Sequence, residues 1–293
     1  MQLSGEAKII LGSVMFALIP LCVKLSPGVG IEALLFGRLF FASLVFFIGF
    51  KDRAHIFTIP KRDFIMLIIW SGIMSAAMLC YFYAIRLCGA AISSALLGIQ
   101  PVVIIFLAYV FLKEVISNTS ILAGILSLIG VYFISDLSTS IPGSNILTGE
   151  ILAIASAVLL AFNFIYQKKY LSHYSSQKLV FYQSVFQLPF FAPFIIGDSK
   201  YMSVDFILAS FTLGIFCTVI AYTLIYKGAS ETDAQKIGVL QCVEFVLPVL
   251  IGYCMFNESL DLYKLIGILL IIAACLCISY KPSNALLRKR SSH

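Results

Sequence analysis

Charge is what this sequence has least of. Asp, Glu, Lys and Arg make up 12% of its 293 residues, against roughly 25% in an ordinary soluble domain. A water-soluble protein of this length needs a polar surface, and the charged residues are too few to make one. Histidine is scarcer still, with only His55, His173 and His293. The eight cysteines are Cys22, Cys80, Cys88, Cys217, Cys242, Cys254, Cys275 and Cys277, and they form no CxxC pair. No zinc site is expected, and cysteines inside apolar blocks read as small packing residues. There is no HExxH, and the few Asp residues fall in loops. Hydrolysis within a membrane would therefore have neither a metal nor paired aspartates to use. The absence of a GxxxxGK[ST] loop leaves no ATP-driven step, so any driving force must be a gradient or an exchange. An enzyme, a cofactor and a metal are all unexpected. No Gly-rich segment resembles a channel filter.

Apolar residues, by contrast, make up 61% of the chain. They arrive in blocks of about twenty, the length that crosses a hydrocarbon core of roughly 30 Å at 1.5 Å per residue. The pattern predicts ten transmembrane helices, near 8–25, 31–50, 63–85, 90–112, 119–136, 148–167, 178–197, 204–226, 234–256 and 261–280. Short connections make neighbouring helices antiparallel. Glu6 precedes the first block and no small-x-small cleavage site follows it, so this block reads as a retained span.

The basic residues orient the path. Of 20 Lys and Arg, Lys24, Arg86, Lys200 and Lys264 fall on one side of a ten-span path and Arg38 falls within a span. The remaining fifteen fall on the other side, which places both termini in the cytoplasm. The net charge of +6 is carried by these loops and by the tail Arg288-Lys289-Arg290. It reads as a membrane anchor, and no nucleic-acid partner is expected.

The chain also repeats. Gln100-Pro101 and Glu114 recur, 144 residues on, as Glu244-Phe245 and Glu258. Phe111-Leu112-Lys113-Glu114 matches Met255-Phe256-Asn257-Glu258, and Ala123-Gly124-Ile125-Leu126 matches Ile266-Gly267-Ile268-Leu269. The expected organisation is a first five-helix repeat over 1–136, a linker over 137–147, a second five-helix repeat over 148–280 and a basic cytoplasmic tail over 281–293. Five is odd, so the second unit enters the membrane from the opposite side, as in transporters built from inverted repeats.

These features resemble the drug/metabolite transporter superfamily, EamA-type branch. The resemblance rests on two five-span halves, on Arg38 in the setting Phe36-Gly37-Arg38-Leu39-Phe40-Phe41-Ala42, and on a Pro-bearing fourth span closing in Leu112-Lys113-Glu114. It covers about residues 8–280. The Glu-Pro pair usual in that family is split: the first half has Gln100 before Pro101, and the second has Glu244 before Phe245, with Pro248 three residues on. The resemblance implies an amino acid, drug, nucleotide sugar or related metabolite as cargo.

The candidate site residues are polar groups inside apolar blocks. An ionised group at mid-bilayer costs roughly 2.5–3.5 kcal/mol on insertion scales, so Glu244 belongs in the bundle interior. Gln241 lies three residues away on the same helix face, and Gln100 sits at the matching depth of the fourth span. Together they predict a substrate cavity, with an interhelical hydrogen bond as the alternative. Asn163 and Gln167 share a face, as do Gln183 and Gln187; either cavity lining or interhelical bonding suits their amides. Arg38 could meet a carboxylate or phosphate, or form a buried pair. Trp70 and Tyr222 are the deep aromatics expected to stack on a ligand, whereas Tyr81, Tyr83 and Tyr226 are placed near span ends. Pro101 and Pro248 are expected inside helices, as gating bends or static kinks. Glu114 and Glu258 close their spans, with Lys113 the neighbour for Glu114.

The function expected is a secondary transporter moving an amino acid or a related zwitterionic or nucleoside-type compound by alternating access. A drug or toxic-metabolite exporter, and a non-transport channel or receptor, are the alternatives. Its partners are the small-molecule substrate, the lipid bilayer and, as one option, a coupling proton. Both monomer and homodimer remain open. A bacterial inner membrane suits the short halves and basic loops.

Overall fold

A computed structural model describes residues 3–26, 28–49, 59–134, 146–195, 203–247 and 262–279. Pro248, Asn257, Glu258, the 137–147 linker apart from its last two residues, and the tail over 281–293 lie outside the described residues. The helices are α1 Gly5–Phe16, α2 Leu18–Lys24, α3 Ile31–Gly49, α4 Lys61–Leu97, α5 Gln100–Leu112, α6 Asn118–Ile134 and α7 Ile146–Tyr170. They continue with α8 Ser176–Phe191, α9 Val204–Gly214, α10 Ala221–Ala229, α11 Ala234–Gln241 and α12 Leu262–Ser279. A π-helical turn, Ile215–Ile220, joins α9 to α10, and a 3₁₀ turn, Cys242–Phe245, follows α11. No strand occurs among the described residues.

Local chemistry sets several of the boundaries. Ser4, Ser175 and Ser203 cap α1, α8 and α9 by accepting the N–H of Ala7, Lys178 and Phe206. Gly89 takes φ 86° within α4, a conformation that side-chain-bearing residues rarely adopt, and so separates 61–88 from 90–97. Seven segments among the described residues are long and apolar enough to cross a membrane, where the sequence predicts ten. Two of the others fall short in length, and the third runs on past the described residues. Asn118–Ile134 has only 17 residues. Ser176–Phe191 has 16 and carries Gln177, Lys178, Gln183 and Gln187. The description of the segment beginning at Ala234 stops at residue 247.

The broadest helix contacts join 5–134 to 146–279. Helix α4 lies along α7, α6 along α12, α1 along α10, α3 against α8 and α9, and α5 against α7 and α11. Lipid tails are as apolar as leucine, so helices in a bilayer associate through close packing rather than hydrophobic exclusion. Two glycines show how close. A Cβ on Gly228 would stand 2.6 Å from the Gly5 carbonyl, and one on Gly130 would stand 2.9 Å from that of Gly267. Gly228→Val is therefore expected to force α1 from α10 and to destabilise the fold by about 1–3 kcal/mol. Thermal unfolding in detergent checks this, and an unchanged midpoint would mean the seam tolerates the added bulk.

Outward faces are apolar too. Ile121, Leu122 and Ile125 on α6, and Leu265, Leu269 and Leu276 on α12, are exposed. Trp70, Phe82, Leu34 and Ile104 fill the interior. A helical bundle that is apolar both inside and out suits lipid as its surroundings.

Candidate functional site

The polar residues of these apolar helices converge. Glu244 sits in the 3₁₀ turn after α11, where side chains three apart fall in line, so Gln241 and Glu244 present to the same side. Gln100 opens α5, directly after the break at Gly98 and Ile99 that ends α4. Pro101 belongs to this first turn rather than to the helix interior the sequence suggests: with no N–H to donate, it fits the start of α5. Gln100 and Glu244, 144 positions apart in the repeat, thus each sit at a helix irregularity.

Glu244, Gln241, Gln100 and Asn163 all line one cavity with an empty volume of ≈ 750 Å³. Its remaining wall is mainly apolar and aromatic, from Phe16, Met74, Met78, Phe164, Tyr222 and Phe245 among others. Glu244 is half-buried and forms no ion pair among the described residues. The Gln241 side-chain oxygen, Oε1, is buried without a hydrogen-bond partner. Unmet acceptors at the edge of an apolar cavity favour a ligand that brings donors.

A second layer fixes this wall. Asn163 Nδ2 donates to the Trp70 carbonyl at 2.7 Å, and Trp70 Nε1 donates to the Asn163 carbonyl at 3.2 Å. This reciprocal pair joins α4 to α7. Trp70 does not line the cavity: it is 0% exposed, and its ring backs that of Tyr226 at 5.8 Å. Gln183 likewise lies behind the wall, accepting from the Tyr226 hydroxyl at 2.7 Å. Gln167 and Gln187 are buried away from it.

Arg38 also stands one layer back. It is 2% exposed, and its Nε donates to Thr218 Oγ1 at 2.6 Å. Its Nη1 reaches Met78 Sδ at 3.2 Å, and Nη2 the Cys217 carbonyl at 3.5 Å. Cys217 and Thr218 belong to the π-helical turn, whose extra residue brings them to the guanidinium. The Tyr222 ring, 5.9 Å from the guanidinium carbon, separates Arg38 from the cavity. Arg38 forms no ion pair among the described residues, so an arginine without a counter-ion and a glutamate without one flank the same chamber.

Sequence reasoning missed Tyr226 and Tyr81 as wall residues, because both count out close to a span end. Tyr226 is nevertheless 5% exposed and stacks obliquely on Tyr222 at 5.5 Å. Tyr83 bonds Glu32 instead, away from the cavity. Glu114 pairs not with Lys113 but with Lys168 at 3.4 Å, and it accepts the N–H of Ala234 at 3.1 Å. Lys113 takes a left-handed backbone conformation at the end of α5.

Comparison with known proteins places the chain. The EamA-like transporter family matches it twice, over residues 3–136 and 147–280. The chain belongs to the EamA-like transporter family. This EamA-like chain is 28% identical over 277 residues to an uncharacterized transporter of Archaeoglobus fulgidus, covering 93% of the chain and 95% of that relative. It is 26% identical over 253 residues to YicL, an uncharacterized inner membrane transporter of Salmonella typhimurium, with 83% of each covered. A solved crystal structure with 16% identity superposes at a TM-score of 0.77, covering 94% of this chain and 98% of the other, and speaks for the fold alone. The EamA-like chain is an integral membrane protein of a transporter family, and these relatives point to transport rather than catalysis.

Proposed function

We propose that this EamA-like protein is a secondary transporter that carries a small zwitterionic metabolite through the central cavity by alternating access. The observation that carries the reading is the chamber itself: Glu244 on its wall and Arg38 behind Tyr222, neither with an oppositely charged partner. An ammonium group would dock at Glu244 and the Gln241 side-chain oxygen. A carboxylate would draw on Arg38 once Tyr222 and Met78 yield, since a thioether is a weak acceptor. Both charges would then be met at once, and the bundle interior would keep its net charge. The aromatic wall suits an apolar body between the two ends.

The transport cycle we infer uses ten spans in two inverted five-helix repeats, with both termini cytoplasmic. The double family match supports the duplication. The helix contacts support a pseudo-two-fold exchange: α1 against α10 corresponds to α7 against α4, and α3 against α8 links the second helix of each repeat. Helix breaks at the cavity, at Gly98 and at residues 242–245, fit the broken helices that line transporter sites. A bacterial inner membrane fits the charge asymmetry and the Salmonella relative. A proton coupled through Glu244 is one way to drive uptake; dissipating a pH gradient would then abolish accumulation but not exchange.

Counterflow in proteoliposomes tests the cargo. We expect saturable exchange of an amino acid with an apolar side chain, and at least about tenfold weaker exchange of its decarboxylated amine and of its N-acetyl derivative, each missing one charge. Equal exchange of the amine would remove Arg38 from recognition. Exchange confined to uncharged solutes would overturn the zwitterion reading.

A further inference from the structure

The two ends of the bundle are held by different kinds of contact. Near the N-terminus, at the end we place in the cytoplasm, polar bonds run from one half of the chain to the other. Lys8 Nζ meets Glu231 at 2.6 Å, and Lys236 Nζ meets Glu6 at 2.7 Å. Lys168 Nζ reaches Glu114 at 3.4 Å and the Thr232 carbonyl at 2.7 Å. Gln235 Nε2 donates to the Val115 carbonyl at 3.2 Å, and the Tyr174 hydroxyl to Asp63 at 2.7 Å. Apart from the bond of Lys168 to the Thr232 carbonyl, each of these has one partner in 3–134 and the other in 146–279. At the far end, Arg86 donates to the carbonyls of Ser26 and Val29, and Tyr83 to Glu32. Those bonds stay within the first half, so separating the halves there breaks none of them.

We infer that the polar contacts between the halves around Lys236 form an inner gate, which comes apart each time the cavity opens toward the N-terminal end. The inference rests on the alternating-access reading above. Lys236 is the centre of the gate: its side chain is 4% exposed, and its ammonium also donates to the Ser279 carbonyl at 3.2 Å. It thereby ties α1, α11 and α12 together. Such a seal is strong while dry, because charges attract more in a low dielectric. It is also reversible, because every group in it is solvated readily once water enters. Water has a place to start. A small cleft, no larger than a water or so, lies among Glu114, Ser120, Asp233, Gln235, Lys236 and Ile278. The second carboxylate oxygen of Glu114 and the side-chain Oε1 of Gln235 are buried without partners, and both residues line the cleft. A first water there meets acceptors the protein leaves unmet, and it weakens the neighbouring pairs.

Hydrogen exchange on the full chain in lipid nanodiscs tests the gate. The variants are Lys236→Met, Glu6→Gln and the swap Glu6→Lys with Lys236→Glu. A gate predicts changes of opposite sign at the two ends. In either single variant, exchange rises about tenfold over 5–12 and 230–241 and falls over 83–97, as the population shifts toward the inward-open state. The swap restores both ends toward wild type. Exchange that rises at the inner end alone would reduce the contacts to local structure and overturn the proposal, as would single variants without effect. Failures of the two readings separate cleanly. Opposite changes at the two ends in a protein that exchanges no solute would sink the cargo reading and keep the gate. Solute exchange by wild type with no reciprocal change in the variants would sink the gate alone.

Discussion

Glu244→Gln is expected to lose solute exchange while keeping its fold. Glu244 makes no ion pair among the described residues, so the isosteric amide strands no partner. It also removes an ionised group from an apolar setting, which leaves stability unchanged or slightly raised. The ammonium of the proposed solute, however, loses the one carboxylate that the described residues place on the wall of the chamber. Truncating one side of a desolvated charge pair costs about 2–5 kcal/mol, a loss of roughly 30-fold or more in apparent affinity. Counterflow over a range of solute concentrations, beside thermal unfolding of the same preparation, reads both quantities. Wild-type exchange by a folded variant would remove Glu244 from the mechanism and leave it an interior polar residue.

The second large effect is on stability. Trp70→Ala empties the largest fully buried side chain of the bundle and breaks half of its reciprocal bond with Asn163. Truncations of this size cost about 3–5 kcal/mol, enough to abolish the folded state of a marginally stable protein. Trp70→Phe keeps most of the volume and loses chiefly the Nε1 bond, a cost of about 1 kcal/mol. The order wild type, Phe, Ala in unfolding midpoint is the expected result. If Trp70 stacked on the solute instead of backing Tyr226, the Ala variant would keep its midpoint and lose affinity, the reverse pattern.

Trp70 and Tyr226 show where sequence reasoning stops. Counting residues from a span end estimates depth, and it ranks Trp70 and Tyr222 as deep and Tyr226 as peripheral. The bundle reverses the roles of Trp70 and Tyr226. Tyr226 lies within a turn of the end of α10, yet α10 packs on α1 and α8, and Trp70 of α4 and Gln183 of α8 stand against the Tyr226 side chain. Trp70 is deep but turned toward α7, where Asn163 holds it. Depth along one helix carries no information about which neighbour covers a given face. Arg38 follows the same logic. An arginine in an apolar span must face the interior, but its partners come from a π-helical turn at residues 215–220 that no local pattern announces. The gate is further still from sequence: Glu6 and Lys236 are 230 positions apart.

The sequence by itself determined the solvent, the helices and the convergence of Gln100, Gln241 and Glu244. Each depends on length, hydropathy or spacing, which are properties of one segment or of a recurrence about 144 residues on. Burying a polar group in lipid is costly enough that such residues have few places to go. The tertiary structure alone decided which side chains form the wall and which stand behind it, what holds Arg38, and which end of the bundle is tied across its two halves. Those outcomes depend on how helices far apart in the chain meet at van der Waals distance, and close packing between distant segments leaves no periodic trace in either one.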